Sequence, residues 1–162
     1  MLAPKIEIEM SNKDDLLKHA ESLGVQPAAV DASDETLPER KRPQMTSDVA
    51  REFAIETARL LDDNKCEDIV IFDLRGVSPV CDFFVICTGT SDRQMRAVVD
   101  HVKQMAKQRG ETPYSISGVD DASWIVADYV DVVIHLFAEE QRGYYDLDSL
   151  WGESPHVEWK RD

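Results

Sequence analysis

Apolar residues in the second half of the chain recur at helical spacing after two capping signals. The first series begins at Ser47 and predicts a helix over residues 47–63. Ser91 is followed three residues later by Gln94, which forms a capping box and predicts a second helix that ends at Gly110. Each helix has one apolar stripe, so we expect both to pack against a sheet.

Shorter apolar runs between and after these helices have the length and composition of strands. The predicted strands cover residues 68–74, 83–87, 114–118, 123–130 and 131–138. Almost no loop joins the last two, so they must form an antiparallel hairpin. Residues 139–151 return to helical spacing and predict a final helix. The fold class is therefore α+β, with a five-stranded mixed sheet flanked by helices.

The first 46 residues differ in composition from the rest of the chain. They are rich in Asp, Glu, Lys, Ala and Pro and almost free of aromatic residues, which indicates an acidic, partly disordered extension with one short helix near residues 12–23. Residues 47–151 form the predicted domain. Residues 152–162 are expected to form a C-terminal tail of undetermined structure.

The net charge of -14 is the strongest signal in the composition. Residues 48–162 hold 12 basic and 23 acidic residues, so the domain itself carries about -11. Phosphate backbones repel such a surface, so we expect no direct sequence-specific nucleic-acid binding. The charge fits either a basic protein partner or simple solubility. No apolar run is long enough to span a membrane, and we expect a cytoplasmic protein.

The cysteines and histidines do not have the spacing of a metal or cofactor site. Cys66, Cys81 and Cys87 lack a CxxC pair and are interpreted as buried thiols of a reducing compartment, in preference to metal ligands or a redox pair. The four histidines are scattered, and His135 lies in an apolar strand where a core histidine is favoured over a general base. We expect no metal and no cofactor.

An enzyme remains the alternative from a different functional class. Residues 88–91, Thr-Gly-Thr-Ser, lie between a strand and a helix N-terminus, where an anion could bind. With Asp128 and Asp131 as Mg²⁺ ligands, this turn suggests a nucleotidyltransferase-like nucleotide-binding enzyme. One glycine does not make a phosphate-binding loop, and the two aspartates are three residues apart, where ligands on one strand face would be two apart.

The hairpin from Trp124 to Asp131 combines aromatic and acidic residues. Trp124 shares a strand face with Asp128, whereas Tyr129 belongs to the other face. A tryptophan on one face with a carboxylate suggests a half-exposed surface near the turn, and Trp and Tyr often dominate protein interfaces. From the residues alone, an interface and a simple cover for the sheet are equally favoured.

Four blocks of sequence resemble the ribosomal silencing factor (Iojap-like) family. They are DIVIFD at 68–73, DFFVICTGTSDRQ at 82–94, WIVADYVDVVIH at 124–135 and RGYYDLDSLW at 142–151. The resemblance implies a fold similar to nucleotidyltransferases without their catalytic set. It also implies a translational repressor that binds the fourteenth protein of the large ribosomal subunit and sterically blocks joining of the small subunit.

The resemblance also implies a set of partner-binding residues. They are Trp124, Asp128, Tyr129, Val130, Asp131, Arg93, Gln94 and Tyr145. Val130 stands where the family usually has a turn glycine, and a β-branched residue disfavours positive φ, so we expect altered geometry at the hairpin tip. Two further possibilities stay open: a homodimer of the free protein, and a general adaptor that binds its partner through residues 1–46.

Overall fold

The structure is a computed structural model that describes residues 45–161. The short helix predicted near residues 12–23 lies outside the described residues. The helices are α1 (Ser47–Asp63), α2 (Asp92–Gln108), α3 (Glu139–Tyr145) and α4 (Leu147–Leu150). The strands are β1 (Glu67–Asp73), β2 (Phe83–Gly89), β3 (Ser115–Ser117), β4 (Trp124–Asp128) and β5 (Val132–Ala138).

Both long helices begin at side-chain caps. The Thr46 hydroxyl accepts from the Val49 backbone N–H, so the cap of α1 lies one residue before the predicted Ser47. Ser91 caps α2 as predicted by accepting from the Gln94 N–H, and the Gln94 side chain accepts in return from the Thr90 N–H. These bonds satisfy backbone donors that a helix N-terminus leaves without an intrahelical partner.

The five strands form one mixed sheet in the order β1-β2-β5-β4-β3. Strands β2 and β5 are parallel, and the other neighbouring pairs are antiparallel. The predicted hairpin between β4 and β5 is present, with Trp124 opposite Phe137 and Asp128 opposite Val133. The predicted fold class is confirmed.

Each face of the sheet is covered by its own group of apolar residues. Helices α1 and α2 cover one face, where Ile125, Ala127 and Tyr129 of the β4 segment are buried. On the other face, Trp124 and Val126 pack with residues of α4 and with Trp151. The period-two alternation predicted for this segment therefore holds, but both of its faces are buried.

The predicted final helix over residues 139–151 was wrong in one respect. Asp146 adopts a left-handed conformation, with φ 48, and divides the segment into α3 and α4. The break changes the direction of the chain, so residues on either side of it do not share one helical stripe.

The boundary expected at residue 152 does not separate the last residues from the core. The backbone of residues 155–157 bonds to β1, since the Asp73 N–H donates to the Pro155 carbonyl and the Val157 N–H donates to that of Ile71. Trp159 is 9% exposed and donates its indole N–H to the Ile69 carbonyl. Residues 152–161 thus cover the open edge of β1, which protects it from pairing with other chains.

Candidate functional site

Trp124 is the centre of an aromatic layer beneath α3. Its ring lies 4.9 Å from that of Phe137 and 4.6 Å from that of Tyr145, measured between centroids. Its indole N–H donates to Nδ1 of His135 at 3.1 Å. The side chain is only 4% exposed, so the predicted half-exposed tryptophan was wrong. The cause is α3, which lies over the strand and could not be placed from the alternation of β4.

Two consecutive tyrosines of α3 form the outer surface of this layer. Tyr145 is partly buried on Trp124, and burial raises the pKa of its hydroxyl. Tyr144 is 41% exposed and packs edge-on against Tyr145, with ring centroids 4.9 Å apart and planes at 85°. The aromatic layer therefore reaches solvent through Tyr144 and Tyr145, while Trp124 supports it from below.

His135 forms the floor of the layer. It is 3% exposed and contacts the ring of Phe84 at 4.7 Å between centroids. Burial lowers the pKa of His135 to about 3, so the ring is neutral at physiological pH. As Nδ1 accepts from Trp124, the neutral ring carries its proton on Nε2, and within residues 45–161 that nitrogen makes no hydrogen bond. These contacts match the expected core histidine rather than a general base.

A partly buried ion pair holds α3 and α4 onto the sheet. Arg142 donates to both carboxylate oxygens of Asp148, at 2.8 and 2.9 Å, and to the hydroxyl of Thr88 on β2 at 3.1 Å. Such two-pronged arginine–carboxylate pairs are the strongest charge-assisted hydrogen bonds in proteins. On the same face, the ring of Trp151 packs edge-on against Phe84. The surface carried by α3 and α4 is therefore fixed relative to β2.

The turn between β4 and β5 lies at the other end of the sheet. Val130 has φ 75, and the Asp131 N–H donates to the Tyr129 carbonyl, a three-residue turn of a strained type. The Asp128 carboxylate supports it by accepting from the Val130 N–H at 2.7 Å. Val130 therefore adopts the positive φ that a β-branched residue disfavours, and the premise of the altered tip was wrong. At about 3.4 Å per residue along β4, Trp124 lies roughly 17–20 Å from this turn. The prediction that Trp124 lies near the turn was therefore wrong.

Three predicted site residues at the turn are buried. Asp128, Tyr129 and Val130 are 0%, 1% and 2% exposed. Tyr129 faces the opposite side of the sheet from Trp124 and packs on Phe53 of α1, with ring centroids 5.0 Å apart. Asp131 is partly exposed and accepts from the Met45 N–H at 2.8 Å. Burial and the proximity of Asp131 raise the pKa of Asp82.

The remaining predicted residues, Arg93 and Gln94, lie at the start of α2. Arg93 is exposed, whereas Gln94 is partly buried and used locally, because its amide donates to the Asn64 carbonyl. The predicted set is thus divided among the α3 face, the hairpin turn and the start of α2. Within this set, the rings of Trp124 and Tyr145 are in contact.

The residues of the enzyme alternative are not assembled. Gly89 pairs with Ala138 at one end of β5, whereas Asp128 pairs with Val133 near the other end. Five residues of strand separate these positions, roughly 17 Å. The turn is also filled: a Cβ at Gly89 would lie 2.2 Å from Cγ of Met95. Within residues 45–161, no group of three or more His, Cys, Asp or Glu is placed to hold a metal ion.

Comparison with known proteins decides the family. Residues 47–162 match the family described as "Ribosomal silencing factor during starvation". The chain belongs to this family. It is 41% identical over 98 residues to the Ribosomal silencing factor RsfS of Bacillus subtilis, covering 60% of this chain and 83% of that protein.

The chain is also similar to a solved structure and to a relative with a mitochondrial name. A crystal structure from Chromobacterium violaceum is 30% identical with a TM-score of 0.60, covering 67% of this chain and 88% of that one. A mouse relative named "Mitochondrial assembly of ribosomal large subunit protein 1" is 31% identical over 116 residues, covering 69% of this chain and 51% of that protein. The family match includes residues 152–161, which agrees with their packing against β1.

Sequence analysis did not include Tyr144 among the candidate residues, and the structure exposes it beside Tyr145. Tyr144 has helical spacing with Leu147 and Trp151 in the sequence, but the helix breaks at Asp146 and Tyr144 is 41% exposed. The adjacent pair Tyr144 and Tyr145 was visible in the sequence and could have been recognised as an aromatic anchor.

No helix within the described residues is long and apolar enough to cross a membrane.

Proposed function

We propose that this silencing factor represses translation by binding the large ribosomal subunit through its fourteenth protein, where it blocks joining of the small subunit. The observation that carries the proposal is an aromatic surface at Tyr144 and Tyr145, supported by Trp124 and held rigidly against the sheet. Steric exclusion requires no chemistry from the bound protein, only a stable position on the joining surface. The protein would act in the cytoplasm and is not an enzyme.

Aromatic side chains on a fixed base are suited to a binding surface. Tyrosine offers a large contact area with little conformational entropy to lose, and such residues dominate measured hot spots. Tyr144 is held by its edge-on contact with Tyr145, which rests on Trp124. The surface is therefore ordered before a partner arrives, so binding loses less free energy to ordering.

The charge around these tyrosines suits a basic protein partner. Residues 139–153 contain five acidic residues and one arginine, a net charge of -4. The arginine, Arg142, is already paired with Asp148. Ribosomal proteins are generally basic, so these acidic residues would accelerate association with such a partner. Added salt should weaken this electrostatic attraction.

The predicted site residues take different roles in this proposal. Tyr145 contacts the partner, and Trp124 acts from beneath it. Asp131 and Arg93 are accessible at other places on the domain and could extend the contact. Asp128, Tyr129 and Val130 expose almost no side-chain surface, so they maintain the hairpin rather than touch the partner. Self-association of the free protein into a homodimer is a separate proposal.

The name of the mouse relative supports the large subunit as the target, because it refers to assembly of that subunit. The nucleotidyltransferase alternative is not favoured, because Gly89 and Asp128 lie toward opposite ends of the sheet. Thermal stabilisation by ATP and Mg²⁺ that is lost in Asp128→Ala and Asp131→Ala would restore it.

Two exposed tyrosines provide a matched test of the binding surface. Tyr144 is 41% exposed on α3, and Tyr114 is 60% exposed next to β3. Purified large subunits are pelleted with increasing amounts of each variant of the full chain. We expect Tyr144→Ala to weaken binding by about 30-fold, equivalent to about 2 kcal/mol, and Tyr114→Ala to leave it unchanged. Equal affinity of the two variants would remove the α3 surface from the account.

A further inference from the structure

Helix α3 carries Tyr144 and Tyr145, yet it is too short to hold its own position. It has seven residues, none of them buried, and Ala138 precedes it without a side-chain hydrogen bond to cap it. Isolated helices shorter than about 12–15 residues are barely stable in water, so contacts with the rest of the domain must hold α3 in place. By contrast, α4 is anchored by Leu147, which is 1% exposed. The contacts of α3 therefore decide where its tyrosines point.

Two side chains on one face of α3 provide those contacts. Arg142 and Tyr145 are three residues apart, so they lie on the same side of the helix. The Tyr145 ring lies 4.6 Å from that of Trp124, between centroids. Arg142 reaches Thr88 on β2 with one guanidinium nitrogen and Asp148 on α4 with the other two. A helix held at two points on one face cannot rotate about its own axis, whereas a helix held at one point can.

Arg142 is enclosed by the residues that it bonds. Its side chain is 13% exposed, against 36% for that of Asp148. The hydroxyl that it bonds belongs to Thr88, which is 4% exposed. All three guanidinium nitrogens already donate within the chain, so Arg142 offers an incoming partner little surface.

The arrangement requires the flat head of arginine. Lysine has a single nitrogen and could not bond both oxygens of Asp148 and the hydroxyl of Thr88 in the same geometry. The bond to Asp148 also spans the left-handed residue Asp146, which separates α3 from α4. Arg142 therefore joins α3, α4 and β2 at one point.

We propose that Arg142 is a positioning residue for ribosome binding: its bonds to Thr88 and Asp148 set the rotation of α3 that presents Tyr144, and Arg142 itself does not touch the partner. This inference rests on the proposed function, because it concerns how the same aromatic surface is presented. Without these bonds α3 adopts other rotations as well. The apparent affinity then falls in proportion to the fraction of molecules that present Tyr144 correctly.

A second arginine provides a matched control. Arg75 donates to both carboxylate oxygens of Asp73 and to the hydroxyl of Ser47. It lies over the ring of Phe83, at the other end of β2 from Thr88. Replacing Arg75 therefore removes the same kinds of bond without touching α3.

Hydrogen exchange of the free full chain tests the positioning without any partner. We expect Arg142→Ala to speed the exchange of the backbone amides of residues 143–146 by about tenfold or more, because α3 then opens locally while the sheet stays folded. Arg75→Ala should leave these amides at the wild-type rate. Wild-type exchange of residues 143–146 in Arg142→Ala would overturn the proposal.

Pelleting with large ribosomal subunits tests whether the positioning matters for binding. We expect Arg142→Ala to weaken binding by about tenfold, Arg142→Lys to weaken it less, and Arg75→Ala to leave it unchanged. Because Arg142 acts through Tyr144, adding Arg142→Ala to Tyr144→Ala should weaken binding little further. Fully additive losses would show that Arg142 contacts the partner directly and would overturn the positioning role.

Failure of this inference and failure of the proposed function give different results. Weakened binding in Tyr144→Ala with wild-type affinity in Arg142→Ala would overturn this inference alone. Wild-type affinity in both variants would overturn the aromatic surface and this inference together. If Arg142→Ala does not fold, Thr88→Val removes only the bond to β2 and should show both effects to a smaller extent. Wild-type exchange and affinity in Thr88→Val would then overturn the proposal.

Discussion

Replacing Trp124 by alanine should destabilise the fold as well as any complex. The ring is 4% exposed and packs against Phe137 and Tyr145. Removing a buried tryptophan typically costs about 3–5 kcal/mol, because the lost contacts leave a cavity. The loss of its N–H also leaves Nδ1 of His135 without a donor. As a typical domain is stable by only about 5–15 kcal/mol, Trp124→Ala should lose a large part of its stability.

Urea unfolding followed by circular dichroism measures this loss directly. Trp124→Phe is the control, because it keeps an aromatic ring in the layer and loses the hydrogen bond to His135. We expect it to cost only about 1–2 kcal/mol. If Trp124→Ala unfolds within about 1 kcal/mol of the wild type, the ring does not support the layer as described.

Three further predictions concern stability. Burial lowers the pKa of His135 to about 3, whereas its value in the unfolded chain is near 6.5. The stability that the neutral ring contributes is therefore fully present above pH 6.5, and it is lost by roughly 1.4 kcal/mol per pH unit as the pH falls toward 3. Between pH 7 and pH 5, the urea midpoint should fall less steeply in His135→Gln than in the wild type. Val130→Gly relieves the strain of φ 75 at the turn. It should therefore lower the free energy of unfolding by about 2 kcal/mol less than Val133→Gly, which replaces an equally buried strand valine. Equal losses of the two variants in denaturant unfolding would show that the turn stores no strain. Trp159→Ala should cost about 3 kcal/mol in the same assay, and a negligible change would mean that residues 152–161 do not stabilise the domain.

Much of the fold could be predicted because its signals are local. The cap at Ser91, the apolar stripes of the two long helices and the alternation along β4 each depend on residues within a few positions of one another. The absence of a loop between β4 and β5 was enough to predict their antiparallel pairing. Patterns of this range determine which element forms and which residues share a face.

The exposure of the site could not be predicted in the same way. Whether Trp124 meets solvent depends on α3, which packs Tyr145 against it and ends at the left-handed residue Asp146. Alternation shows that two faces differ but not which of them another element covers. The tail had a signal that was overlooked, since Val157 and Trp159 alternate with polar residues as in an edge strand.

The most direct test of the account is whether the protein keeps ribosomal subunits apart through its α3 surface. Purified small and large subunits are mixed under joining conditions, with or without the full chain, and separated on a sucrose gradient. We predict that the wild-type protein travels with the large subunit and reduces the peak of joined ribosomes, that Tyr144→Ala restores that peak, and that Tyr114→Ala does not. Undiminished joining with the wild-type protein bound to the large subunit would contradict steric exclusion, and full repression by Tyr144→Ala would contradict the proposed surface.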